Sequence, residues 1–492
     1  MTAEISVDAD AATLAQAYAR GAHSPVLHLR VVLEHIARWE PHIAALWAAD
    51  ADAAMAQARA SEARWRRGQP LSPLDGVPVT IKENIATQGT PLPLGTAATE
   101  LLPAAADAPP AARLREAGAV LLGKTTMPDF GMLSSGLSSF HALARNPWDV
   151  ERNPGGSSAG AGAAAAAGYG PLHLGTDIGG SIRLPAAWCG VVGFKPSLGR
   201  LPIQPPYAGR VAGPMTRHVA DAALAMSVLA RPDPRDTMSL PPQELPWRQL
   251  HGGRGALQAG REAGGLSGLR VGLWLDAGTG LALHPGLRAV VEEAAARLAR
   301  AGATLVPVPP FVTRAMLDGM DRFWRVRSWL DLQALPEERR QRVLPYIRRW
   351  AEGGAGCSAA ELFAAQAQMG VLREASVAAL KGLDFLIGPV TPVPTFPAAW
   401  ASPTNDPARP LEHIAFTLPW NFGEQPALSV PAGLGPDGLP AAVQIVGQRH
   451  DDLGVLRLGH AFERLRGVLP AWPEPPPRPV SRPEGAASTD PP

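Results

Sequence analysis

Cysteine is nearly absent from this chain: its 492 residues hold two, Cys189 and Cys357, far apart and outside any CxxC or Cys/His ligand spacing. That excludes a disulfide framework and leaves no expected metal site, and the usage suits a reducing cytosol, so the expected location is cytoplasmic. An excess of either charge is missing too. The 45 Lys and Arg against 44 Asp and Glu leave a net charge of +1, which removes the electrostatic reason to expect nucleic acid or an anionic membrane as a partner. No long apolar run is present. The longest uncharged stretch, Asn153 to Thr176, is broken by several glycines and by Pro154 and Pro171, which disqualifies it as a membrane span. The first twenty residues carry Glu4, Asp8 and Asp10 without a basic start and an apolar run, so no secretory signal is expected. Lysine is scarce as well: 41 of the basic residues are arginine, and only Lys82, Lys124, Lys195 and Lys381 break the pattern. In a chain so biased, the remaining lysines mark places where a guanidinium does not substitute.

What is present describes a folded protein. With 46% hydrophobic residues, 51 Gly and 52 Pro, the length allows one large α/β domain or about three ordinary ones. Ser24-Pro25 supplies an N-cap and first-turn pair before apolar residues at Val26, Leu29, Val32, Leu33 and Ile36, and a second helix is expected over Asp50–Arg67. From Gly76 the texture changes. Short β-prone runs at Val77–Ile81, Ala119–Leu122, Val191–Phe194, Leu269–Leu275, Ala303–Val308, Phe385–Ile387, Ala427–Val430 and Ala441–Val446 alternate with helical stretches near His218–Leu229, Pro285–Arg300 and Asp451–Arg466. This alternation predicts an α/β fold, a single large mixed sheet covered by helices on both faces. Gly252–Gly268 reads as a surface loop. Residues 471–492 hold eight prolines and little apolar content beyond Trp472 and Val480, the composition of an extended, disordered tail.

Two pattern matches fail on context. Gly118-Ala-Val-Leu-Leu-Gly123-Lys124-Thr125 satisfies the phosphate-loop pattern, yet its middle is a strand rather than a loop of backbone donors. Gly156-Ser157-Ser158-Ala159-Gly160 satisfies G-x-S-x-G, but the polar run from Glu151 to Gly155 cannot be the hydrophobic strand that a nucleophile elbow needs. The informative region is Asn153 to Arg200. A Gly/Ser turn feeds an Ala-rich segment, and Asp177-Ile178-Gly179-Gly180 stands directly before Ser181. Glycines before a serine let successive N–H groups converge beside its hydroxyl, where an oxyanion could be held; a Gly-Gly turn before a helix-capping serine is the alternative.

The stretch GGSS-x-G…GTDIGGSIRLPA…CGVVGFKPS-x-GR resembles the signature of the amidase signature family, whose members hydrolyse or transfer amide bonds. GVPVTIKEN at Gly76–Asn84, LGKTTMPDFGM at Leu122–Met132, NPWD at Asn146–Asp149, AGPMTR at Ala212–Arg217 and GPVTPVPTFP at Gly388–Pro397 fit the same resemblance. It implies an amidase domain over residues 1–470, with a signature core at about 70–217 and a variable, substrate-side region at about 311–420. Departures stand at Ala159, Thr126, His141 and Ser197; none removes a group that the chemistry uses, but Ala159 restricts the backbone of the serine loop.

The resemblance implies a triad of Ser181 as nucleophile, Ser157 as bridging serine held through a cis peptide bond, and Lys82 as base. The residues support it independently. A serine hydroxyl needs a base within reach, and the one histidine between Asn153 and Arg200, His173, reads as a strand residue in Pro-Leu-His-Leu. Burial among Val79 and Ile81 would favour the neutral amine that a base requires. Backbone N–H groups around Ile178, Gly179 and Gly180 are the expected oxyanion donors, Gly131 and Met132 beside Phe130 the expected acyl-binding residues, and Asp177 and Arg183 an ion pair bracing the loop. Lys124 and Lys195 are assigned structural roles, and Trp324, Trp329 and Trp350 are read as core. No cofactor or metal is implied. A stand-alone hydrolase of a small-molecule amide is favoured, with a homodimer left open. The alternative is the A subunit of a glutamine-dependent aminoacyl-tRNA amidotransferase; that subunit typically carries a polar Asp-Gln segment before its GP-x-[TS]-R motif, where this chain has Gly209-Arg-Val-Ala-Gly-Pro214. A non-catalytic scaffold is disfavoured because all three triad positions are filled.

Overall fold

The computed structural model describes residues 6–251 and 265–476. The expected loop at Gly252–Gly268 lies, as far as residue 264, outside the described residues, as does 477–492. One mixed sheet organises the rest. Its strands are β1 (Leu46–Trp47), β2 (Pro78–Lys82), β3 (Val120–Thr125), β4 (Leu172–Asp177), β5 (Val192–Lys195), β6 (Val211–Thr216), β7 (Arg270–Leu273), β8 (Thr304–Pro307), β9 (Phe385–Pro389), β10 (Ala427–Leu434) and β11 (Pro440–Gly447). They run in the order β1-β3-β2-β4-β6-β5-β10-β11-β9-β7-β8. β2 is parallel to β3 and β4, the centre from β4 to β9 is antiparallel, and β7 is parallel to both β9 and β8.

Apolar residues leave both faces of the sheet. Ala212 and Met215, an odd number of positions apart on β6, therefore point to opposite sides, and they belong to different buried clusters. One cluster joins β2, β4 and β10 to the helices Val219–Leu229, Pro285–Arg300 and Asp452–Leu465; another gathers Trp274, Trp324, Trp350 and Trp420 under the helices Arg314–Gln333, Pro345–Glu352 and Ala359–Ala379. The early helices form where the Ser24 cap and the expected range from Asp50 place them. Ser24 Oγ accepts the Leu27 N–H at 3.1 Å and Asp50 Oδ1 that of Ala53 at 2.9 Å, opening Pro25–Ile43 and Ala51–Arg66. The Ala-rich segment is a fully buried helix, Ala159–Ala167. A Cβ on its Gly160 would lie 2.2 Å from Ala45 O and 2.5 Å from Thr126 N, so this helix approaches its neighbours more closely than alanine permits.

Sequence reading missed β6. Val-Ala-Gly-Pro-Met-Thr carries two breakers in its middle, and proline is usually confined to sheet edges. Here Pro214 pairs with Leu174 inside the sheet, and a Cβ on Gly213 would lie 2.1 Å from Phe194 O; the close approach of the neighbouring strand, rather than strand propensity, explains the residues. The phosphate-loop match is settled likewise, since Val120–Thr125 is strand β3 and the Lys124 amine donates to Ile85 O and to Thr87 Oγ1.

The start of the segment read as tail lies against the body. The Arg217 guanidinium stacks 4.1 Å from the Trp472 ring centroid, Trp148 packs against the same indole at 6.0 Å, and Arg217 itself donates to Ala165 O and Ala166 O at the end of the buried helix and pairs with Asp8. Trp472→Ala should therefore lower unfolding free energy by about 1–2 kcal/mol, the sum of a cation–π and an aromatic contact. A thermal melt identical to wild type would show that this docking contributes nothing.

Candidate active site

The parallel strands β2 and β4 end side by side, and the loops beyond their C-terminal ends meet there. β2 delivers Lys82 on its last residue, fully buried. Its Nζ lies 2.7 Å from Ser157 Oγ and 3.1 Å from Ser158 Oγ. Ser157 follows a cis Gly156–Ser157 peptide and is buried, whereas Ser158 donates to Thr176 O on β4 at 3.2 Å. The Ser158 N–H donates to Ser181 O at 3.1 Å, tying the two serine loops together. Ser181 is partly exposed, while Lys82 and Ser157 are buried. Ala159 does not disturb this loop, because it is already the first residue of the helix.

The loop between β4 and Ser181 is fixed from behind. Asp177 Oδ1 accepts the Gly180 N–H at 2.8 Å and Oδ2 the Ile182 N–H at 3.0 Å. Arg183 closes a bidentate pair on the same carboxylate at 3.0 and 2.9 Å, both side chains being fully buried. Arg183 donates further to Thr417 O, Gln444 Oε1 and Asn421 Oδ1, and Asn421 donates to Asp177 Oδ1 at 2.9 Å. Burial by itself would raise the Asp177 carboxyl, but the charge and hydrogen bonds of Arg183, the Asn421 amide and the Lys195 charge outweigh it and hold the group well below the usual carboxylate range.

This network corrects one expectation. Gly180 is among the oxyanion donors expected from sequence, but its N–H is turned inward onto Asp177. Among the described residues the N–H groups of Ile178, Gly179 and Ser181 make no such bond. Gly131 lies against the serine loop: a Cβ there would lie 3.4 Å from Ser157 Oγ, and φ of +71° at Gly131 after +52° at Phe130 curls that chain against the serine. Met132 follows it, partly exposed.

Three of the four lysines are buried, and burial lowers each to about 7. Partners separate them. Lys124 faces a carbonyl and the Thr87 hydroxyl, Lys195 faces the carbonyls of Pro196 and Gln425, and Lys82 alone faces the hydroxyls of the serine loop. After burial, the Arg210 guanidinium is the next cause lowering Lys82, opposed by Asp177 and Glu83. His173 is on β4 as read, its ring held by Thr80 Oγ1 and Gly170 O and its pKa lowered by burial to about 3.

A family model described as Amidase matches residues 28–456. The chain belongs to the amidase signature family. Among curated relatives, the glutamyl-tRNA(Gln) amidotransferase A subunit of Anaeromyxobacter dehalogenans (strain 2CP-C) is 37% identical over 475 residues, covering 90% of this chain and 93% of its own. Among solved structures, a bacterial aryl acylamidase of the amidase signature family superposes with TM-score 0.84 at 30% identity, over 93% of this chain and 96% of that one. A 6-aminohexanoate cyclic dimer hydrolase superposes at 0.81 with 28% identity, over 94% and 97%.

Several site residues of this family member escaped sequence reading. Thr417 Oγ1 donates to Gly179 O at 2.6 Å, and Asn421 and Gln444 reach the Asp177–Arg183 pair across separations of 238 to 261 residues. No local pattern marks such partners. Trp324 is buried as read, yet it also covers the loop: a Cβ on Gly179 would lie 3.5 Å from its Cη2 and 3.3 Å from Ile414 Cδ1. Trp350 is buried as read, whereas Trp329 is only partly buried and stands outside the core clusters.

Asp177→Asn should cost about 3–5 kcal/mol, because it leaves the buried Arg183 without its counter-charge. The check is a urea unfolding curve; an unchanged midpoint would mean that the pair does not hold this loop.

Proposed function

We propose that this amidase signature enzyme cleaves a carbon–nitrogen amide bond through an acyl-enzyme on Ser181, with Ser157 and Lys82 moving the proton. The observation that carries the reading is the 2.7 Å approach of a buried Lys82 amine to Ser157 Oγ. With its pKa lowered to about 7 by burial and by Arg210, the amine is largely neutral just above neutral pH and serves as a base. Ser181 Oγ attacks the amide carbonyl carbon while its proton passes through Ser157 to Lys82. The carbonyl oxygen becomes an oxyanion facing the Gly179 and Ser181 N–H groups. Collapse breaks the C–N bond, and the departing nitrogen takes the proton back from Lys82 through Ser157. Water then attacks the ester, loses a proton to Lys82, and the proton returns to Ser181 Oγ as the acid leaves.

Two readings of the acceptor and substrate remain. A hydrolase acting alone on a small-molecule amide is supported by the aryl acylamidase and cyclic dimer hydrolase likenesses and by Arg210-Val211 where the Asp-Gln segment is typical. The second reading, an amidotransferase component that frees ammonia from glutamine for a partner, is supported by the higher identity, 34–37%, to curated proteins of that kind, and by sequence similarity it is the stronger of the two. Ammonia release by the purified chain from a panel of amides including glutamine, with and without ATP and partner subunits, separates them: activity only in the assembled mixture selects the second.

Lys82 tests the chemistry common to both. The neutral amine is the active form, so kcat/KM should rise through about pH 7 and level off above it. Arginine keeps the charge but gives up no proton in this range. Lys82→Arg and Lys82→Ala should both lose several orders of magnitude, with circular dichroism as the folding control. An active Lys82→Arg enzyme would sink the base assignment.

A further inference from the structure

Two guanidiniums flank one aromatic ring beside the serine loop, and neither has a carboxylate within 4 Å among the described residues. Arg210 Cζ lies 5.2 Å and Arg327 Cζ 5.8 Å from the ring centroid of Tyr207. Arg210 stands one residue before Val211, which pairs with Asp177 at the root of the nucleophile loop. It is 7% exposed, and among the described residues its guanidinium donates to Pro205 O alone, at 2.6 Å. Arg327, on the helix Arg314–Gln333, donates to Met132 Sδ at 3.2 Å, and Met132 adjoins the Gly131 that touches Ser157. Tyr207 is 38% exposed, so the cluster opens to solvent.

The acidic groups nearest these cations are occupied or distant. Asp236 accepts the N–H groups of Ile203 and Met238, and Asp331 lies farther from Arg327 than an ion pair allows, its carboxyl raised by burial though opposed by that arginine. Elsewhere this chain pairs its arginines freely, as Arg64 with Asp75 or Arg200 with Asp452. Two like charges held together and partly desolvated cost free energy unless an anion joins them. A planar guanidinium is also the donor best matched to a carboxylate.

We propose that Arg210 and Arg327, with Tyr207 between them, form a subsite for a carboxylate of the substrate, so that the preferred substrates are amides carrying a second, anionic group. This deepens the amide-cleaving reading and rests on it. The charge would come from the substrate itself and would complete a site that the protein leaves electropositive. It also couples to the base. Lys82 is lowered by burial and by Arg210 and raised by Asp177 at the end of β4 and Glu83 after β2; a carboxylate bound at Arg210 offsets the repulsion, so the Lys82 pKa is higher with such a substrate bound than in the free enzyme.

The test compares matched pairs: succinamate against butyramide, with the charge on the acyl side, and 4-acetamidobenzoate against acetanilide, with the charge on the amine side. The carboxylate member of at least one pair should be preferred by about tenfold or more in kcat/KM, the ratio should fall to about one in Arg327→Gln, and Arg327→Lys should keep part of it. For the charged member, the acid limb of kcat should lie at higher pH than that of kcat/KM; for the neutral member the two limbs should coincide. A wild-type ratio near one in both pairs, a ratio that Arg327→Gln leaves intact, or a kcat limb that does not move overturns the clamp. Protection of Ser181 from phenylmethanesulfonyl fluoride, read by mass spectrometry, gives the same comparison without turnover: protection by the charged member at about tenfold lower concentration supports the clamp, and equal protection by both members overturns it. Failure to label Ser181 at all is a different result, one that removes the amide-cleaving reading and the clamp with it.

Discussion

The buried pair of Asp177 and Arg183 is the constraint on which the site depends. Two charges taken fully out of water are costly unless every lone pair and proton finds a partner, and here they do: Asp177 collects backbone N–H groups from Gly180 and Ile182, while Arg183 spends its remaining donors on Thr417, Asn421 and Gln444. The partners of Arg183 stand 234 to 261 residues further along the chain, Gln444 among them on β11. The pair therefore welds two parts of the chain and in doing so sets the path of the glycine loop. One consequence is that Gly180 commits its N–H to the frame.

Against that frame, the sheet solves a second problem, that of keeping an amine dry. β2 and β4 are parallel neighbours inside the sheet, third and fourth from its β1 edge among the described strands and covered on both sides, so a lysine on the last residue of β2 is desolvated by the fold itself rather than by any single contact. The same burial acts on Lys124 and Lys195. A lowered pKa consequently does not distinguish a base from a structural lysine in this protein. What distinguishes Lys82 is that its amine meets the hydroxyls of the serine loop, whereas the other two are each anchored on a backbone carbonyl. The scarcity of lysine fits this division: three of the four sit where a guanidinium, wider and never neutral, would have no room or no function.

Much of the architecture was legible because its signals are local. Caps at Ser24 and Asp50, the helix Pro285–Arg300 and the apolar strands at Val192–Lys195 and Phe385–Pro389 follow from periodicity and side-chain chemistry within a few residues. β6 was not legible, because Gly213 and Pro214 are chosen for how closely Phe194 O approaches and for a ladder position that needs no N–H, neither of which is visible along the chain. The start of the tail reads as unattached because proline content says nothing of Trp472, whose docking depends on Trp148 and Arg217 lying together on the body.

The sequence by itself determined the family and the mixed α/β sheet and pointed to Lys82, Ser157 and Ser181 as candidates, since each is written in a contiguous motif whose spacing constrains local backbone. Only the tertiary structure decided which lysine meets the serines, which N–H groups remain for a ligand, and that Arg210 and Arg327 converge on Tyr207. The first spans 75 residues, and the second rests on a carboxylate whose partner Arg183 is itself held by a residue 261 positions away; such relations are set by sheet order and by how buried charges find partners, and short-range patterns carry no record of them.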